Sequence, residues 1–275
     1  MQELRRSALA SYGVAERSFR LVKRYLGWEV VWLVYSAVST LTIGLIGVSA
    51  SRAGGGEAPA AQNLTLYLVI GALLWNYLSV LFQEVSNAVA WERWEGTIEY
   101  TFMAPIHRLV YLAGNSLFGL GYALLRTILI FGVAVLWFDM DLSRANWGAA
   151  LLVLVSSSLS FMGLGLVAAV LPLLSPEKGP QATHIIQGLL LLVAGVYYPV
   201  DVLPEWLQPI AAINPATHTL DGVRAALMDG AGFAAVMPWV GRLLLTGVVL
   251  VPLGLWVFQV GEQYAMRTGR LKRNG

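Results

Sequence analysis

Long apolar runs separated by short polar stretches set the pattern of this chain. The runs cover residues 28–50, 64–83, 109–138, 147–174, 181–200 and 243–260, and a helix needs about 20 apolar residues to cross a bilayer. The pattern therefore predicts an all-α, polytopic membrane protein with six transmembrane helices in a single transmembrane domain over 1–275. Within the first run, Ser36, Thr40 and Gly44 recur at four-residue spacing, which lets a neighbouring helix approach closely. The fourth run is longer than a straight crossing requires, so tilting or a bend near Pro172 is expected.

Three segments break the pattern and predict elements of another kind. Over 12–26, Ala15, Phe19, Val22 and Leu26 share one side of a helical wheel, with Arg17, Arg20 and Arg24 across from it. That arrangement predicts an amphipathic helix lying in the membrane interface. Residues 51–62, with Gly54, Gly55, Gly56 and Pro59, read as a flexible connection. From Asp201 to Pro238 the chain is moderately apolar but interrupted by Pro204, Pro209 and Pro215. The expectation there is a re-entrant helical hairpin before the last span, with two short helices within 202–228 that dip back into the membrane or lie on its outer face. Irregular backbone survives at membrane depth only where protein or a wet cavity covers it.

Composition agrees: 57% of residues are hydrophobic and 12% charged, against about 25% charged in soluble domains. A net charge of +2, without a basic tract, argues against nucleic-acid binding. The chain has no cysteine, which excludes disulfides, thiolate metal sites and cysteine nucleophiles. His107, His184 and His218 are scattered, so no metal site is expected. Arg5, Arg6, Arg17, Arg20, Lys23, Arg24, Arg93, Arg108, Lys178, Arg267, Arg270, Lys272 and Arg273 fall at one set of span ends. Arg52, Arg144, Arg224 and Arg242 fall at the other. By the positive-inside rule both termini are expected in the cytoplasm. The amino terminus lacks the form of a cleaved signal peptide, so the first span is expected to persist.

The segment between the second and third spans carries the most information. As a helix over 91–104 it lines up Trp91, Trp94, Ile98 and Phe102, with Glu92, Glu95 and Glu99 along the flank. Such a surface suits either a basic partner or an interfacial loop with belt tryptophans. The run Glu95-Gly96-Thr97-Ile98-Glu99, ending at Ala104-Pro105, resembles the coupling-helix motif of the type-2 ATP-binding-cassette exporter permeases. The stretch from Tyr198 through Pro209 and Asn214-Pro215 to Asp221 and Arg224 is similar to that family's signature before the last span.

The resemblance implies a non-catalytic permease of a prokaryotic cell (inner) membrane, exporting an amphiphilic drug-like, lipid or glycolipid substrate. It implies cytosolic ATPase subunits, carrying ATP and Mg, as partners, together with a second permease, identical or related. No cofactor is expected on this chain, because Lys23, Lys178 and Lys272 all lack the glycine before and the hydroxyl residue after that a Walker loop needs. Trp91, Glu92, Arg93, Trp94, Glu95, Gly96, Thr97 and Glu99 would then contact the ATPase. Tyr35, Ser39, Asn76, Arg126, Gln187 and Tyr197, polar or aromatic groups within spans, are candidates to line the pathway, helix packing being the competing role. A cation in mid-span is costly in lipid, and for Arg126 a structural partner such as a backbone carbonyl competes with cargo contact. A membrane-embedded lipid-modifying enzyme and a nucleotide-independent channel or scaffold remain as alternatives.

Overall fold

The computed structural model describes residues 2–53, 58–94, 108–140, 142–175 and 177–268, and among them every regular element is a helix. The helices are α1 (Gln2–Arg24), α2 (Leu26–Ala53), α3 (Ala58–Ser86), α4 (Ala88–Trp94), α5 (Arg108–Phe138) and α6 (Trp147–Ala168). After these come α7 (Val170–Leu174), α8 (Gly179–Val193), α9 (Gln208–Ile213), α10 (Pro215–Met228) and α11 (Phe233–Arg267). Among the described residues, five stretches are long and apolar enough to cross a membrane: Leu26–Ala53, Asn63–Ser86, Gly114–Phe138, Trp147–Leu174 and Phe233–Arg267. The protein is thus polytopic and all-α.

Helix α3 is the axis of the bundle. Val69, Tyr77 and Leu78 on it have no exposed surface, and α2, α5, α6 and α10 all pack on it. The expected small-residue stripe on α2 is buried at Ser36, Thr40, Gly44 and Gly47. The most extensive pairing joins α6 to α11. Gly247, Gly254 and Gly261, seven residues apart, receive Leu159, Leu166 and Val170, and a Cβ on any of them would lie 2.3–2.6 Å from the opposing atom. Close backbone approach of this kind is what holds helices together in lipid, where apolar burial supplies no net drive.

Several boundaries differ from those expected. Within the fourth span α6 stops at Ala168 and α7 resumes at Val170, just before Pro172, which cannot donate to the turn behind it. The stretch expected to cross at 181–200 is helical only as α8, 15 residues long and so about 22 Å at 1.5 Å per residue. Hydropathy continues past Val193, but the backbone turns at Gly195, whose φ is +72°, a region that suits glycine. The last helix begins at Phe233 rather than 243, runs through Pro238 and Pro252, and seats Val236 and Val240 in the core. Between them lie a single 3₁₀ turn (Val200–Val202), α9 and α10, consistent with short helices inside 202–228. Asn214 caps α10, its Oδ1 accepting from the Ala216 amide at 3.0 Å, with Pro215 at the first helical position.

Candidate functional site: a polar joint between α1, α4 and α5

Helix α1 is longer than expected and packs on α5. Leu9, Tyr12 and Phe19 lie on one outward side, each more than half exposed, the geometry of an interfacial helix. Its inward side is polar: Ser11 Oγ donates to the Val110 carbonyl at 3.1 Å and Ser18 Oγ to Asn115 Oδ1 at 3.2 Å. Gly114 makes this approach possible, since a Cβ there would sit 2.7 Å from the Ser11 carbonyl and from Val14.

Glu92 closes the joint. It is 3% exposed, forms an ion pair with Arg17 of α1, and accepts a hydrogen bond from the Tyr111 hydroxyl of α5 at 3.0 Å. One carboxylate therefore ties α4 to two other helices. Burial, reinforced by the Glu92 charge, holds the Tyr111 phenol above its ordinary range, so it remains a donor near neutrality. A buried carboxylate is tolerated only with partners of this sort.

Of the expected acidic flank, Glu92 alone lies among the described residues. Glu92 is turned inward onto a cation of its own chain, while Trp91 beside it is 52% exposed. Arg93 and Trp94 complete the last turn of α4. Glu95, Gly96, Thr97 and Glu99 lie outside the described residues, so the helix expected over 91–104 is seen only as α4, which begins earlier, at Ala88.

A second polar cluster links α2 to α5 within the bundle. Arg126 donates to the Trp32 carbonyl at 2.9 Å and to Ser36 Oγ at 2.6 Å, which gives this mid-span guanidinium structural partners. Tyr122 donates to the Glu29 carboxylate. Glu84 of α3 packs near Gly119, one turn before Tyr122 on α5.

The other expected pathway residues separate into two groups. Tyr35 and Ser39 lie on the exposed side of α2. Asn76 lies on α3, in line with Ser79 and Gln83 at the i, i+3, i+7 spacing of one helix face. The Gln83 side-chain amide donates to Gln187 of α8 at 3.0 Å, whereas Asn76 Oδ1 and Ser79 Oγ are buried with no hydrogen-bond partner among the described residues. Tyr197 packs partly buried against the main core. Among the described residues, no group of three or more histidines and acidic residues could hold a metal ion.

Arg224 organises the opposite end. It donates to the carbonyls of Gly195 (3.0 Å), Val196 (2.6 Å) and Tyr67 (3.3 Å) and lies 3.5 Å from the centre of the Tyr67 ring. The turn after α8, the far half of α3 and α10 are fastened by this one side chain. Gly71 makes room, because a Cβ there would meet the Val196 carbonyl at 2.2 Å and the guanidinium at 2.7 Å.

Comparison with known proteins bears on the whole arrangement. The family model described as ABC-2 type transporter matches residues 15–228, from α1 through the joint to the end of α10. The chain belongs to the ABC-2 type transporter family. It is a membrane-embedded permease of that family.

Its relatives include the linearmycin resistance permease protein LnrN of Bacillus subtilis, 29% identical over 49% of this chain and 32% of that protein. ABC transporter G family member 20 of Dictyostelium discoideum is 24% identical over 62% of this chain and 23% of that protein. The inner membrane transport permease YadH of Escherichia coli (strain K12) is 23% identical over 58% of this chain and 60% of that protein. The aligned regions therefore span less than two thirds of the length of each of these relatives.

Sequence reasoning missed the partners that make an ABC-2 joint out of isolated residues. Arg17 had a sequence signal, as one of the cations expected across from the apolar side of α1. Tyr111, Asn115 and Ser18 had none, because each is an ordinary residue whose role exists only once α1 lies against α5.

Proposed function

We propose that this permease moves an amphiphilic drug-like, lipid or glycolipid molecule out of the cytosol or inner leaflet, driven by ATP hydrolysis in a separate subunit. ATP and Mg belong to that partner, and this chain performs no chemistry. The observation that carries the reading is the Glu92 joint, in which a short helix is tied by Arg17 to α1 and by Tyr111 to α5. A force applied at α4 is passed by this joint to two long helices at once. The neighbouring segment, with Glu95, Gly96, Thr97 and Glu99, together with exposed Trp91 and with Arg93 and Trp94, supplies the surface for the ATPase. Both termini then lie in the cytoplasm of a prokaryotic cell.

A second permease, identical or related, completes the pathway. The face of α3 that carries Asn76 and Ser79 is a candidate stretch of its lining, with both polar atoms covered by this chain's own helices. Gln187 and Gln83 extend the same polar line. Tyr35, Ser39 and Tyr197 are secondary candidates for the lining, and Arg126 is assigned to holding α2 against α5. The name of LnrN, a linearmycin resistance permease, fits a drug-like cargo.

The reading is tested by purifying the tagged permease from native membranes and identifying what comes with it. An ABC ATPase is expected, with ATP hydrolysis that collapses when Glu95 and Glu99 are both changed to lysine while the permease stays folded. Recovery of a folded permease without any ATPase, or hydrolysis insensitive to both charge reversals, would overturn it.

A further inference from the structure

A cavity of about 340 Å³ opens between α5 and α6 in the half of the bundle away from α1, a size at the lower end of small-molecule sites, which run from about 300 to 1,000 Å³. Leu73 and Leu74 of α3 form its back wall, and Val223 and Leu227 of α10 lie over it. On α5 it runs from Phe131 to Leu124 and on α6 from Trp147 to Leu154, about 10 Å along each helix at 1.5 Å per residue. That depth falls within one leaflet of a hydrocarbon core about 30 Å thick.

Its chemistry leaves one kind of occupant. Thr127 is the one hydroxyl-bearing residue of the lining, and it already donates to the Ala123 carbonyl at 2.8 Å. The Leu154 carbonyl already accepts from the hydroxyls of Ser157, at 2.7 Å, and of Tyr77 and Ser158, both at 3.0 Å. No charged group lines the space. Ile128 and Leu151, at 66% and 51% exposure, flank the mouth, which is therefore continuous with the lipid-facing surface of the spans. At the upper rim Trp147 meets Phe131 edge-on with ring centres 5.5 Å apart. This is the depth at which tryptophan sits in a membrane interface.

We propose that this slot binds one acyl chain of a phospholipid from the leaflet far from α1, with the headgroup left at the level of Trp147. The driving force is contact rather than burial from water. An empty space of this size forfeits dispersion contacts along its walls, and a chain from the adjoining bilayer restores them without stranding any polar group. Because α10 covers the cavity and α3 backs it, the occupied slot joins the α10 region to α5 and α6, two consecutive spans that scarcely pack together. The site is independent of ATP use and of the exported cargo.

The permease is reconstituted in nanodiscs of palmitoyl-oleoyl phosphatidylcholine containing a phosphatidylcholine with a diazirine in mid-chain, irradiated, and mapped by mass spectrometry. Adducts are expected on Leu73, Leu74 and Val223, which are at most 3% exposed and beyond the reach of lipid that merely coats the protein. Ile128→Trp and, separately, Leu151→Trp close the mouth from exposed positions with little risk to folding. Each is expected to lower those adducts about tenfold, equivalent to about 1.4 kcal/mol in occupancy. Adducts on outward-facing Leu245 and Val249 should stay unchanged.

Labelling confined to outward-facing positions in the unaltered protein would overturn the proposal. So would labelling of Leu73, Leu74 and Val223 that both tryptophan variants leave intact. A third contrary result is an Ile128→Cys variant that forms a disulfide between two copies, which would mean a second protomer fills the mouth. The chain's lack of cysteine makes that last result unambiguous.

Discussion

The two ends of the bundle are each fastened by an arginine, but the fastenings differ in kind. At the far end Arg224, 8% exposed, reaches three main-chain carbonyls and an aromatic face. The three carbonyls in that set have neither rotamer nor charge to change, and the surrounding helices are set by main-chain contacts such as Gly71 against Val196. At the α1 end Arg17, with its side chain 39% exposed, holds the Glu92 carboxylate, which is itself a side chain on a seven-residue helix. The first arrangement fixes a shape. The second is a linkage between helices that can be loaded and released, which suits it to passing on a movement.

The contrast can be sharpened by removing each fastening, and the largest effect is expected at the far end. Arg224→Ala removes the buried donor to the Gly195 and Val196 carbonyls, at about 1–3 kcal/mol for each group left unsatisfied. The variant should show a clear loss of thermal stability in detergent and a reduced yield of folded protein, with Gly71→Ala giving a similar defect through the same clash. If Arg224→Ala melts like the unaltered protein, the far end is not held as described.

A smaller effect is expected for Arg126→Leu, whose partners are one carbonyl and one hydroxyl on α2. Interhelical hydrogen bonds in membranes average about 0.6 kcal/mol, and removing the cation also removes its cost in lipid. Assembly and transport should therefore stay near normal. A selective loss of transport with intact folding would return Arg126 to the pathway.

Most of the fold was legible because span length and apolar content are imposed by the bilayer rather than by tertiary context. The five long helices follow from those constraints, and the small-residue stripe at Ser36, Thr40 and Gly44 did identify the packing side of α2. Hydropathy failed where it says nothing about backbone direction: Val193 to Val200 reads as apolar, yet Gly195 turns the chain. It failed again at Pro238, which reads as a break but lies inside a helix held by Val236 and Val240.

The joint was harder to read. Glu92, Glu95 and Glu99 look equivalent in the sequence, and nothing local marks Glu92 as turned inward, because its partners are 75 residues before it and 19 after it. Arg224 was visible as part of a family-like stretch, but its three carbonyl partners come from main chain that any sequence would possess. The acyl slot had no sequence signal at all, since a cavity is defined by what fails to meet.

The account rests most directly on the Arg17–Glu92 pair as the link between α4 and α1. The decisive measurement is ATP hydrolysis coupled to transport in liposomes containing the permease with its ATPase, compared among Glu92→Lys, Arg17→Glu and the double exchange. Each single change places two like charges together and should uncouple hydrolysis from transport, with folding confirmed by elution as a single species. The double exchange should recover a large part of the coupling. Full coupling in both single variants, or uncoupling that the double exchange leaves untouched in a folded protein, would contradict the claim.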